Sequence, residues 1–148
     1  MKNLFETEAR TELLNRLEKV NAQSQRQWGE MSVDQMLWHM NSAMSFSMGE
    51  YPINYKANWF VKTLFKGYIL GNAAFPKGGA KTIKEFKATS KYDIETEKKR
   101  LKTYIEEYGK STANKTWPES PLLGKLNGED WARLNYKHID HHFKQFGV

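Results

Sequence analysis

Histidine both titrates near neutral pH and ligates metals through a neutral imidazole, and this chain of 148 residues uses it only four times. Three of the four fall together in "KHIDHHFKQ", as His138, His141 and His142, and the fourth, His39, lies in "QMLWHMNSAM". On a helix each residue advances about 100°, so His138 and His142, four apart, share a face one turn apart. Two imidazoles at that spacing can chelate one cation. His141 points about 60° to the other side of His138, while Trp131 and Gln145 lie almost on its line. Surface histidines at this spacing are also common, so the pair alone is a weak signal. Ile139 stands where a zinc protease carries glutamate, directly after its first histidine, and that reading is dropped.

His39 sits beside the apolar stripe of Met36, Leu37, Met40 and Met44, which turns it inward. A lone inward histidine is more often a hydrogen-bonded core residue than a ligand. The last helix must face the same core, however, and its inward line carries His138 and His142. Three imidazoles converging from two helices leave one tetrahedral position for water or substrate, the open pattern of catalytic zinc sites.

The scaffold for these side chains reads as helical throughout. "FETEARTELLNRLEKV" spaces Leu13, Leu14, Leu17 and Val20 for a helix over about residues 5–20. A second helix begins at Ser32 as N-cap, with Asp34 in its first turn, and runs to about Met48, where "EYPIN" breaks it at Pro52. "YKANWFVKTLFKGYIL" predicts a third helix, packed on the core through Trp59, Phe60, Leu64, Tyr68 and Ile69, with Lys62 and Lys66 outside. The same segment could lie on a membrane surface, but core packing is the commoner arrangement. "GGAKT" has Ala80 before Lys81 and no strand ahead of it, so a phosphate-binding loop is discarded. Asp93 caps a further helix ending at Gly109, and Asn127 precedes the final one, which stops at Gly147. With no alternating strands, the fold class is all-α, a four-helix bundle with an inserted helix and long loops, in a single domain over residues 1–148.

Composition narrows the function classes. The net charge of +6 comes from 23 Lys and Arg against 17 Asp and Glu. Residues 77–91 hold five Lys and one Glu, but the following stretch alternates in sign, and no motif interleaves aromatics with the charge. No specific nucleic acid is expected as a partner. No apolar run approaches the roughly 18 residues of a membrane span, so no transmembrane segment is expected. The N-terminus lacks the apolar core of a signal peptide. The chain has no cysteine, which excludes a disulfide framework, a cysteine nucleophile and a cysteine-based zinc site, and is compatible with a cytoplasmic protein.

Two stretches, "WGEMSVDQMLWHM" (28–40) and "HIDHHFKQFG" (138–147), resemble the DinB/YfiT-like superfamily, and "SPLLGKLNGEDWARLNYKHIDHH" is similar to an uncharacterised branch of it. The resemblance implies a four-helix bundle holding a divalent metal ion, zinc or nickel, on His39, His138 and His142. His141, geometrically also able to pair with His138, then becomes a bystander or a support for a ligand. Some members of the superfamily are S-transferases using low-molecular-weight thiols, others are hydrolase-like or have no known activity, and dimers are common. A metal-dependent enzyme that activates water or such a thiol against a small electrophile is therefore expected, with the thiol brought by a cosubstrate. The catalytic residues are unknown. Glu50, Asp140 and His141 are candidate general bases by type only. The alternative is a non-catalytic metal- or small-molecule-binding protein expressed under stress. Residues 50–92 match no characterised relative, and substrate specificity would reside there.

Overall fold

A computed structural model describes residues 2–54, 58–78 and 83–148. The side chains of Trp59, Phe60 and Leu64, from which the third helix was given its apolar face, lie outside the described residues, as do residues 79–82 of the discarded phosphate loop.

Helix α1, Thr7–Lys19, buries Leu13 and Leu17, one turn apart, and is slightly shorter than its sequence pattern suggests. Helix α2, Val33–Met48, begins at Ser32, whose backbone N–H donates to Gln35 Oε1 at 3.2 Å while its hydroxyl donates to Asp34. Its stop is Gly49, at φ +87°, rather than Pro52 three residues later. The Gly49 N–H bonds the Phe46 carbonyl at 2.9 Å, closing the last turn in a left-handed conformation that a Cβ would strain. Helix α3, Trp59–Leu70, is followed by a single 3₁₀ turn at Lys84–Phe86.

Helix α4, Ile94–Lys110, starts where Asp93 Oδ1 accepts from the Thr96 N–H at 2.8 Å. It runs through Gly109, the residue at which the sequence pattern ends it. Gly109 is not left-handed, and its place has a different cause: a Cβ there would stand 2.6 Å from the Arg10 guanidinium. That guanidinium is held by the Leu4 and Phe5 carbonyls at 2.9 and 2.8 Å, so the glycine admits a neighbouring side chain instead of ending the helix. Helix α5, Gly128–Gln145, is opened by a reciprocal pair: Asn127 Oδ1 accepts from the Asp130 N–H, and Asp130 Oδ2 accepts from the Asn127 N–H.

Helices α1 and α2 each pack against both α4 and α5, closing an all-α four-helix bundle, and α3 is inserted against α5. Among the described residues the non-helical pairing is one isolated bridge, Ser120 with Gly124. The core runs through Leu13, Leu17, Met36, Met40, Leu101 and Ile105 to Ile139 and Phe143. Each such side chain contributes about 1.5–3 kcal/mol when fully buried. A smaller cluster of Phe46, Leu123, Leu126 and Trp131 seats the long loops and the end of α3 through Ile69, Leu70 and Phe86. The lysines of α3 do not point freely to water: Lys66 donates to the Lys125 carbonyl at 2.7 Å and Lys62 pairs with Glu119 at 3.3 Å. Both tether the inserted helix to the loop ahead of α5. No helix among the described residues is long and apolar enough to cross a membrane.

Candidate metal centre

The bundle places α2 beside α5, and that seam sets the histidines. His39 lies on the face of α2 that buries Met36 and Met40, and it is itself only 5% exposed. His138 and His142 stand one turn apart on α5, flanked by the buried Ile139 and Phe143. His39 Nε2 is 2.9 Å from His138 Nε2, and His142 Nε2 is 3.1 Å from the same atom. The three rings meet edge to face, with centroids 4.7–4.9 Å apart and interplanar angles of 69–86°. Metal–nitrogen bonds of ~2.0–2.1 Å at tetrahedral angles separate ligand nitrogens by about 3.3–3.4 Å, so an opening of a few tenths of an ångström would seat an ion. Among the described residues this is the one group of three His, Cys, Asp or Glu side chains close enough to hold a metal ion.

The outer nitrogens define the inner ones. His39 Nδ1 lies 2.8 Å from the Phe86 carbonyl, which can only accept, so Nδ1 carries the proton. Gln145 Nε2 donates to the Trp28 carbonyl at 2.7 Å, which turns Gln145 Oε1 toward His142 Nδ1 at 2.8 Å. His142 Nδ1 is therefore also the protonated nitrogen. Two Nε2 lone pairs consequently converge on His138 Nε2. One N–H on His138 can satisfy only one of them, whereas a cation satisfies all three nitrogens at once.

Burial also holds these rings in the uncharged form that ligation requires. Desolvation lowers the pKa of His39, and it takes His142 down to about 3. His138 falls well below the ordinary 6.5, through burial first and then through its neighbours His142 and His39. All three imidazoles are neutral at pH 7 and available to a metal without first losing a proton.

The remaining candidates part from the three. His141 is half-buried, its ring 5.2 Å from that of His142, 5.5 Å from Trp28 and 5.7 Å from Phe75. It abuts a member of the cluster from behind without joining it. Asp140 turns outward, where it accepts from Arg16 at 2.7 Å and Lys144 at 2.8 Å. Glu50 accepts from Ser45 and from the Tyr104 hydroxyl at 2.7 Å, on the α4 side of α2. Trp131, in line with His138 by spacing, joins the smaller cluster and donates through Nε1 to the Pro118 carbonyl at 3.0 Å.

Sequence reasoning missed the Phe86 and Trp28 carbonyls. A backbone carbonyl is the same in every residue and leaves no compositional trace. The one indirect signal is Phe86 itself, an aromatic within a lysine-rich stretch. Its ring packs 6.0 Å from Phe46 and 6.4 Å from His39, which anchors the 3₁₀ turn against α2.

Five α-helices among the described residues, with three inward imidazoles on one seam, make this a helical protein with a group that could hold a metal ion. The chain belongs to the family described as protein of unknown function (DUF1569), whose model matches residues 2–147. Comparison with curated proteins and with solved structures finds no match.

Proposed function

We propose that His39, His138 and His142 bind one divalent metal ion, zinc or nickel, in a DinB-like bundle, and that the protein is a metal-dependent enzyme acting on a small electrophile. The observation that carries the reading is the convergence of three Nε2 atoms at 2.9 and 3.1 Å, two of them with lone pairs fixed inward. An ion on three neutral ligands would lower the pKa of a bound water or low-molecular-weight thiol toward ~7. The chain's own residues hold the imidazoles neutral and oriented, and the Phe86 ring packs edge-on against His39. His141 remains a candidate proton acceptor by type, since Asp140 and Glu50 are engaged elsewhere. The reading extends to a single domain, a homodimer and a cytoplasmic location, supported by the sequence resemblance and the lack of cysteine.

Metal content of the purified and the reconstituted protein, followed by turnover of thiol–electrophile pairs and of hydrolysable esters, tests it. About one zinc or nickel per chain with turnover is expected. Failure to retain either ion after reconstitution overturns the metal assignment. A second reading, a non-catalytic metal- or small-molecule-binding protein, is favoured by one observation: neither Asp140 nor Glu50 hydrogen-bonds to the histidine cluster. Stoichiometric metal with no turnover decides for it.

A further inference from the structure

The last residue of α5 is joined to the turn ahead of α2 at several points. The Gln27 N–H donates to the Gln145 carbonyl at 2.7 Å, the Gln145 side-chain amide donates to the Trp28 carbonyl at 2.7 Å, and the Trp28 ring rests against His141. Gln145 is 3% exposed and uses both ends of its amide: one on Trp28, the other on His142 Nδ1 at 2.8 Å. Room for that amide exists because the next residue is Gly29. A Cβ at position 29 would stand 2.4 Å from Gln145 Nε2, and the backbone there is left-handed, at φ +80°. The atom that must yield is the far end of a flexible side chain, so a side chain at 29 displaces Gln145 before it disturbs the bundle.

We propose that Gln145 is a positioning residue for His142, oriented by the Trp28 carbonyl and given its space by Gly29, so that the Trp28–Gly29 turn sets the tautomer and metal affinity of a ligand that it never touches. An acceptor on the rear nitrogen of a ligating histidine fixes the tautomer and raises the basicity of the front nitrogen, and losing it typically costs 10–100-fold in metal affinity. Here a second bond points the acceptor. A bare glutamine can offer either end of its amide to an imidazole, whereas here the nitrogen is held at the Trp28 carbonyl and the oxygen is the end turned to the ring. The affinity arm of this inference rests on the metal reading above, while the tautomer arm does not.

The test uses ¹⁵N-labelled full-length protein. Long-range ¹H–¹⁵N spectra of the metal-free form read which nitrogen of His142 carries the proton, and competition with a chromophoric chelator reads Zn²⁺ affinity. Wild type is expected to show the proton on Nδ1. Gln145→Leu and Gly29→Ala are expected to give a mixture of tautomers and Zn²⁺ binding about 10–100-fold weaker. Gln145→Glu keeps an acceptor toward His142 but loses the donor to Trp28, and should restore the Nδ1 proton and most of the affinity while its thermal midpoint stays low. A purely structural role predicts the reverse, with Glu as poor as Leu. Wild-type tautomer and affinity in Gln145→Leu overturn the proposal, as does an Nε2 proton in wild type. If wild type binds no Zn²⁺, the metal reading falls, and the tautomers of the four proteins still decide the role of Gln145.

Discussion

His39 and His138, ninety-nine positions apart, bring their Nε2 atoms to 2.9 Å, and His142 approaches the same atom of His138 from one turn further along α5. Each of the two outer histidines is held from behind, one by the Phe86 carbonyl and one by Gln145. The three imidazoles thus depend on different neighbours, which makes them separable by substitution.

The neighbours His141 and His142 should behave oppositely. His142→Ala removes an inward nitrogen and is expected to weaken metal binding by more than about 100-fold, the upper end of what losing a supporting partner costs. His141→Ala removes a ring that packs on Trp28 and Phe75 and should leave the metal content unchanged. Elemental analysis of the two variants side by side checks this, and an ion lost from His141→Ala alone would reverse the assignment.

Acid should destabilise the metal-free protein in a defined direction. His39, His138 and His142 all have folded-state pKa values below 6.5, that of His142 about 3, because burial opposes their charged forms. Below 6.5 the unfolded chain binds protons that the folded chain refuses. Stability from these groups is thus flat above that pH and declines as the pH falls toward 3. Thermal midpoints in the presence of a chelator should fall across this window, and bound metal should be released in the same direction. A midpoint unchanged between about pH 6.5 and 4 contradicts the account.

Tyr108 is fully buried, with its hydroxyl 2.6 Å from Ser47 Oγ and accepting from the Asn135 amide. Tyr108→Phe removes both bonds but leaves Ser47 Oγ accepting from the Asn135 amide at 2.9 Å and donating to the Met44 carbonyl at 2.8 Å, and should cost about 0.5–1.5 kcal/mol in urea unfolding. Metal stoichiometry should be unaffected, since none of the three histidine rings of the cluster loses a partner.

The +6 charge should confer only weak association with DNA. Binding to duplex DNA is expected in the non-specific range, about 10⁻⁴–10⁻⁶ M at physiological salt, falling steeply with added salt and indifferent to sequence. Fluorescence anisotropy over a salt series measures it, and tight sequence-selective binding would show a reading surface on the helices.

Much of this arrangement was legible in the residue pattern because helix signals are local. Ser32, Asp93 and Asn127 mark the starts of α2, α4 and α5 through side chains that meet their own first turns, the Ser32 hydroxyl by donating to Asp34. The end of α2 near Met48 was read correctly though its stop was assigned to the wrong residue, whereas the end of α4 misled for a non-local reason. Gly109 reads as a helix stop but answers to Arg10, almost a hundred positions away, and Pro52 is preceded by a glycine that had already closed the helix. The inward lines of α2 and α5 pointed to the three histidines coming together, yet their rear partners stayed hidden. One is a carbonyl on a 3₁₀ turn among lysines, the other an amide whose orientation depends on Trp28. The lysines of α3 do lie outside the core, but an outward-facing helix line gives no notice of the loop that they bond.

Lys137 precedes His138 and donates to the carbonyls of Ile69 and Gly71 at 2.7 and 3.0 Å, with Phe75 stacked under its ammonium at 4.5 Å. The chain after α3 is thus moored to α5 one residue from a histidine of the cluster, and it meets the cluster again at Phe86. Frame and cover have separate origins: the helices own the imidazoles, while the stretch between α2 and α4 supplies what lies over them. Any other sequence in that stretch must still deliver one carbonyl to His39 and leave Lys137 a pair of its own.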